Sequence, residues 1–225
     1  GHLMELVDKL SNRQYIDGEW VESSNKNTRD IINPYNQETI FTVAEGTKED
    51  VERAILAARR SFEDGEWSLE TSEVRGKKVR AVADKIKENR EELAKLETLD
   101  TGKTLEESYA DMDDIHNVFM YFAGLADKDG GEMINSPIPN TESKIVKEPV
   151  GVVTQITPWN YPLLQASWKI APALATGCSL VMKPSEITPL TTIRVFELME
   201  EVGFPKGTIN LVLGAGSEVG DVMSG

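Results

Sequence analysis

Cysteine and histidine are nearly absent from this chain. Cys178 is the only cysteine in 225 residues, so no intrachain disulfide can form, and a reducing compartment is expected. There are two histidines. His2 lies in Gly1-His2-Leu3 ahead of Met4, a stretch (residues 1–3) that reads as a tag remnant and is set aside. His116 alone supports neither a Ser-His-Asp triad nor a His/Cys metal cluster. Basic residues are also scarce: 24 Lys and Arg against 38 Asp and Glu leave a net charge of −14. That balance excludes the basic face that non-specific nucleic-acid or anionic-membrane binding requires. A long apolar run is missing as well. The most apolar region, Val150 to Met182, is interrupted by Gln155, Asn160, Gln165 and Lys169, as a buried core is and a membrane span is not. No basic segment followed by an apolar one opens the chain, so a cytoplasmic protein is the expectation.

What is present is 40% hydrophobic and 28% charged residues, the balance of a globular protein large enough to bury a core. Gln14 to Glu22 alternates around Asp17-Gly18, a hairpin signal. Ile31-Ile32 and Thr39 to Val43 read as short strands around the turn Asn33-Pro34-Tyr35-Asn36. Thr47 with Asp50 three residues on predicts a capped helix, whose apolar face is Val51, Ile55, Ala58 and Phe62. Helical spacing continues from Thr71 to about Thr101, with a break near Asn89, and from Lys103 to about Asp127. Residues 4–128 therefore read as a helical layer with small edge strands, and 129–150 as a strand or hairpin segment with an edge proline, Pro149. From 151 to 225 the order becomes strand (151–157), helix (163–176), strand (179–183), helix (190–202), strand (208–213), short helix (217–223). Apolar strands alternating with helices imply right-handed crossovers and a parallel sheet. The expected class is α/β, a partial Rossmann-like sheet behind an N-terminal helical layer.

Open α/β sheets bind ligands past the carboxyl ends of their strands, and three segments fall there. Gly214-Ala-Gly216-Ser-Glu-Val-Gly220 follows an apolar strand and opens a helix, but its G-x-G-x-x-x-G spacing is one residue longer than the dinucleotide fingerprint. It suits a plain strand-to-helix turn as well as a phosphate cradle. In Lys183-Pro-Ser185-Glu186, a lysine and a carboxylate can hydrogen-bond ribose hydroxyls, and Glu186 would repel a 2′-phosphate, favouring NAD over NADP. The same residues also suit a solvated loop with a capping serine. In Pro158-Trp159-Asn160-Tyr161-Pro162 two prolines stiffen the backbone around an amide that can serve as oxyanion donor or as helix cap. Cys178, at the start of a buried strand, reads as a packing residue. No G-x-x-x-x-G-K-[ST] phosphate loop occurs.

Taken in order, four segments resemble the aldehyde dehydrogenase superfamily: Thr154-Gln-Ile-Thr-Pro-Trp-Asn160-Tyr-Pro-Leu, Ser167-Trp-Lys169-Ile-Ala-Pro-Ala-Leu-Ala-Thr-Gly-Cys178, Lys183-Pro-Ser-Glu186-Ile-Thr-Pro-Leu and Gly203-Phe-Pro-Lys-Gly207-Thr-Ile-Asn210. Upstream, Ile31-Ile-Asn33-Pro34 and Leu96-Glu-Thr-Leu-Asp100-Thr-Gly102-Lys103 match too, and Tyr121-Phe-Ala-Gly124 is similar to the bacterial branch acting on betaine aldehyde. The resemblance implies a small-aldehyde substrate, betaine aldehyde oxidised to glycine betaine, with NAD or NADP as cofactor and a homo-oligomer, dimer or tetramer, as the assembled state. It implies that Asn160 is the oxyanion donor and Lys169 a supporting charge-relay residue. Ile156, Thr157, Pro158, Trp159, Lys183, Ser185, Glu186 and Gly216 would hold the adenosine half of the cofactor. Asp100, with backbone carbonyls near Ile31 and Ile187, would form a monovalent-cation site for potassium or sodium. It further implies that the nucleophilic cysteine and general-base glutamate lie beyond residue 225, which leaves a second expectation: a non-catalytic folded fragment, or an assembly module using the strand at 143–150.

Overall fold

The computed structural model describes residues 2–129, 144–147, 151–156, 163–185 and 188–214. Its elements run α1 (His2–Asp8), β1 (Gln14–Ile16), β2 (Glu19–Val21), β3 (Thr28–Ile32), β4 (Thr39–Ala44), α2 (Lys48–Asp64), α3 (Ser72–Glu88), α4 (Arg90–Thr101), α5 (Leu105–Asp129), β5 (Lys144–Lys147), β6 (Val152–Ile156), α6 (Leu163–Ala175), β7 (Ser179–Lys183), α7 (Leu190–Val202) and β8 (Ile209–Leu211). The expected helix break falls at Asn89, which ends α3 and precedes α4. The short helix expected at 217–223 lies outside the described residues.

Among the described residues a six-stranded sheet in the order β2-β1-β8-β7-β6-β5 forms the centre. Three of the four inner strands, β6, β7 and β8, are parallel, as the alternating pattern predicts. Alternation along β7 and β8 divides their side chains between two layers. Val181 and Val212 join Val51, Ala54 and Ala58 of α2 on one face. Leu180, Met182, Ile209 and Leu211 join the larger core built from α3, α5, α6 and α7 on the other. Every residue of β7 is buried, as a strand covered on both faces must be.

The hairpin sits somewhere the sequence does not indicate. Its Asp17-Gly18 turn forms as read, with both residues at positive φ, but β1 pairs antiparallel with β8 through Tyr15 and Leu211. The hairpin thus extends the parallel sheet instead of edging the helical layer. The other two N-terminal strands, β3 and β4, form a separate two-stranded sheet. Asn210 secures the join: its Nδ2 donates to the carbonyls of Leu180 (3.1 Å) and Gly207 (2.9 Å), and its Oδ1 accepts from Asp17 N–H (3.0 Å). Outside this network the Arg60 guanidinium pairs with the Asp17 carboxylate. Gly207 lets strand and helix approach closely. At φ +89° it lies so near α2 that a Cβ there would sit 2.6 Å from the Ala57 carbonyl oxygen.

The predicted capping box is present at the start of α2. Thr47 Oγ1 accepts from Asp50 N–H, and Asp50 Oδ2 accepts from Thr47 N–H at 2.9 Å. Asp50 is fully buried and also accepts from Ser24 N–H and Arg53. Burial pushes its carboxyl up, but the hydrogen bonds from Thr47, Arg53 and Ser24, with the Gln14 amide close by, outweigh it and hold the carboxyl below the ordinary range. A lowered carboxyl stabilises the fold above that range, and the stabilisation is lost as pH falls through it. Asp50→Asn should therefore cost about 1–3 kcal/mol near neutral pH, with the gap narrowing in acid. Melting temperatures of both proteins at about pH 7 and about pH 3.5 check this. An equal gap at both values contradicts it.

Candidate functional site

The parallel strands end together. In the β6–β7 register Ile156 is the partner of Lys183, and Met182 is the partner of Leu211. Residues expected on sequence grounds to share a ligand, Ile156 and Lys183, are thus adjacent at the carboxyl edge of the sheet. Ser185 follows two residues on. Both Lys183 and Ser185 are buried, at 5% and 3% exposure, which removes them from the solvated-loop alternative. A buried ammonium needs compensating partners, and both residues interact with neighbours. Thr157, Pro158, Trp159, Asn160, Glu186, Ile187 and Gly216 lie outside the described residues. The edge at Gly214, from which Gly216 follows, is itself buried.

Lys169 lies on α6, half-buried, and desolvation lowers its ammonium pKa. The preceding Trp168 packs edge-on against Phe122 of α5 (centroids 5.8 Å apart, 87°), which fixes this side of α6. Cys178 is half-buried against the main core, near Thr176 Oγ1 at 3.6 Å, in agreement with a packing role. His116 is half-buried, with its Nδ1 2.9 Å from the Ala83 carbonyl oxygen on α3.

Asp100 is the most unusual group. It is 3% exposed, its Oδ2 accepts from Leu190 N–H at 2.8 Å, and its Oδ1 has no hydrogen-bond partner among the described residues. Burial pushes its carboxyl well above the ordinary range, Glu97 adds like charge, and the N–H groups of Leu190 and Thr191 at the start of α7 pull the other way. Two contacts gather the segments around it. Tyr35, just past β3 and Ile31, donates its hydroxyl to the Gly102 carbonyl at 2.8 Å, and Leu190 comes three residues after position 187. Glu97 is the neighbour that motif reading missed. It is 4% exposed, accepts from Thr191 Oγ1 at 3.0 Å and lies 3.6 Å from Lys103 Nζ. Its i, i+3 spacing from Asp100, beside the buried Leu93 and Leu96, was the available signal. Among the described residues no group of three or more His, Cys, Asp and Glu could hold a metal ion, so carbonyl oxygens would have to complete any cation site here.

The fold and this edge define the class, and comparison agrees: residues 20–225 match the aldehyde dehydrogenase family, and the chain belongs to it. It is 66% identical over 215 residues to betaine aldehyde dehydrogenase of Bacillus subtilis (strain 168), covering 96% of this chain and 44% of that protein. It is 47% identical to the peroxisomal aminoaldehyde dehydrogenase 1 of Pisum sativum, covering 94% and 43%. A crystal structure of betaine aldehyde dehydrogenase from Staphylococcus aureus in complex with NAD+ superposes with a TM-score of 0.89 at 90% identity, covering all of this chain and 44% of that one. The chain therefore spans less than half the length of these relatives.

Asp100→Asn removes a desolvated charge yet keeps an acceptor for Leu190 N–H. In buffer free of potassium and sodium it should raise the melting temperature by about 2–6 °C. A fall of that size would show that the carboxylate is already compensated.

Proposed function

We propose that this chain supplies the adenosine side of the cofactor site and one oxyanion donor of an NAD(P)-dependent aldehyde dehydrogenase that oxidises betaine aldehyde to glycine betaine. The observation that carries the reading is the carboxyl edge, where Ile156 and Lys183 are register partners and Ser185 is buried beside them. Lys183 and Glu186 hold the adenosine ribose, Ile156 to Trp159 and Ser185 shape its seat, and Gly216 lets the backbone approach. NAD, when bound, accepts hydride from the substrate carbon. Asn160 donates to the oxygen of the tetrahedral adduct, where charge develops. Lys169, its charge already disfavoured by desolvation, has a supporting role in proton movement. Substrate class rests on the relatives: the Bacillus protein, two-thirds identical, is a betaine aldehyde dehydrogenase.

The orphaned Oδ1 of Asp100 fits a monovalent cation, with the Ile31 and Ile187 carbonyls as further donors. A single buried carboxylate with neutral carbonyls suits potassium or sodium better than a divalent ion. The strand region at 129–150 serves assembly into dimers or tetramers. No described helix is long and apolar enough to cross a membrane, and we place the protein in the cytoplasm.

Three measurements test these assignments. In an enzyme of the relatives' full length carrying this sequence, Asn160→Ala should lower kcat by roughly 10²–10³ with little change in NAD affinity. An unchanged kcat makes Asn160 a helix cap. Glu186→Gln should narrow an NAD-over-NADP preference of about tenfold to a hundredfold, mainly by improving NADP binding. A dissociation-constant ratio that does not move removes Glu186 from the ribose. Potassium, with choline as ionic-strength control, should raise the melting temperature of the wild type and not of Asp100→Asn. Equal responses remove the cation from this site.

A further inference from the structure

Regular pairing of β8 with β7 ends at Val212 N–H, which donates to the Met182 carbonyl at 2.9 Å. The next peptide, Leu213, is held instead from upstream. Its N–H donates to Gln14 Oε1 at 3.0 Å, across 199 residues of sequence, and its carbonyl accepts from Gly46 N–H. Gln14 is the first residue of β1 and is fully buried; Gly46 is buried in the link between β4 and α2. The Gly46 position admits no side chain, since a Cβ there would lie 2.9 Å from the Leu213 carbonyl oxygen, 3.0 Å from Val212 Cγ1 and against Gln14 Oε1. Behind Gly46 stands the Thr47–Asp50 capping box. The Gln14 amide nitrogen makes no hydrogen bond of ordinary geometry but is close enough to Asp50 to help hold its carboxyl low. Both backbone groups of Leu213, which precedes the Gly214-Ala-Gly216 segment, are thus set by residues outside the three parallel strands.

We infer that Gln14 and Gly46 are positioning residues for cofactor binding: by clamping the Leu213 peptide they aim the glycine turn at the adenosine half of the dinucleotide. The inference rests on the reading that places Gly216 in the cofactor site. Neither residue touches the cofactor or the aldehyde. Their loss frees the Leu213 backbone from which the glycine segment follows, and misplacing a binding segment weakens what it holds. The proposed function assigns the aldehyde-derived oxygen to Asn160 and not to the glycine segment, so the effect is expected on the dinucleotide.

The test uses an enzyme of the relatives' full length carrying this sequence, with four variants: Gln14→Met, which keeps the volume and removes the acceptor, Gly46→Ala, the double variant and Gly216→Val. NAD dissociation constants, KM for betaine aldehyde and melting temperatures are measured. Each single clamp variant should weaken NAD binding about fivefold to tenfold while KM for the aldehyde moves less than about twofold. The double variant should be little worse than the poorer single, because both hold the same residue. Lowered melting temperatures with unchanged NAD affinity would overturn the inference and leave the clamp a purely structural feature. If Gly216→Val weakens NAD and the clamp variants do not, the positioning role alone falls. If Gly216→Val leaves NAD affinity unchanged, the underlying assignment of the turn falls. Should Gln14→Met fail to fold, Gly46→Ala decides by the same criterion.

Discussion

The structure depends on how the outer edge of β8 is satisfied. A strand at the edge of a buried parallel sheet presents N–H and C=O groups that must find partners. Here the partners come from the beginning of the chain: β1 pairs with β8, the Asp17 amide meets Asn210, and Gln14 and Gly46 take the two sides of the Leu213 peptide. Each of these groups is buried or lies against buried strand, so an unmade bond costs about 1–3 kcal/mol. The first hairpin and the last described strand are in consequence one unit, although almost the whole chain separates them. Helix α2 lies across both, with Val51, Ala54 and Ala58 against Ile16, Val152, Val181 and Val212.

The same layering forms the edge at which we propose the dinucleotide lies. The alternation that sends Leu180 and Met182 to one core and Val181 to the other also brings β6 and β7 to an end at one level, with Ile156 beside Lys183. Asp100 is the opposite kind of feature. A carboxylate with one oxygen unpartnered, next to a second buried acid, weakens the fold unless a positive charge joins it. We propose that a monovalent cation supplies that charge.

Local patterns were legible in the sequence wherever one residue type does one job. Thr47 and Asp50 announced a helix start, Asp17-Gly18 a hairpin, Asn89 a break, and the apolar run 179–183 a strand covered on both faces. Lys183 and Ser185 were legible as site candidates by their place after a strand, though their burial was not, because a lysine and a serine after a strand read equally well as solvated loop. What could not be read was partnership at long range. Nothing near Gln14 says that its amide reaches Leu213, and nothing in the hairpin's alternation distinguishes a small edge sheet from the flank of the parallel one. Glu97 was hidden differently: in a helix rich in acids, only the burial of its neighbours sets it apart from the exposed Glu91.

The unity of the hairpin and the parallel sheet is most directly tested by native-state hydrogen exchange at single amides. If β1 and β8 open only together with the sheet, the amides of Asp17, Gly46 and Leu213 should share the exchange free energy of Val181 and Met182 within about 1 kcal/mol. Rapid exchange at Asp17, Gly46 and Leu213 beside full protection of β7 would show a hairpin that frays independently. That result would contradict the account.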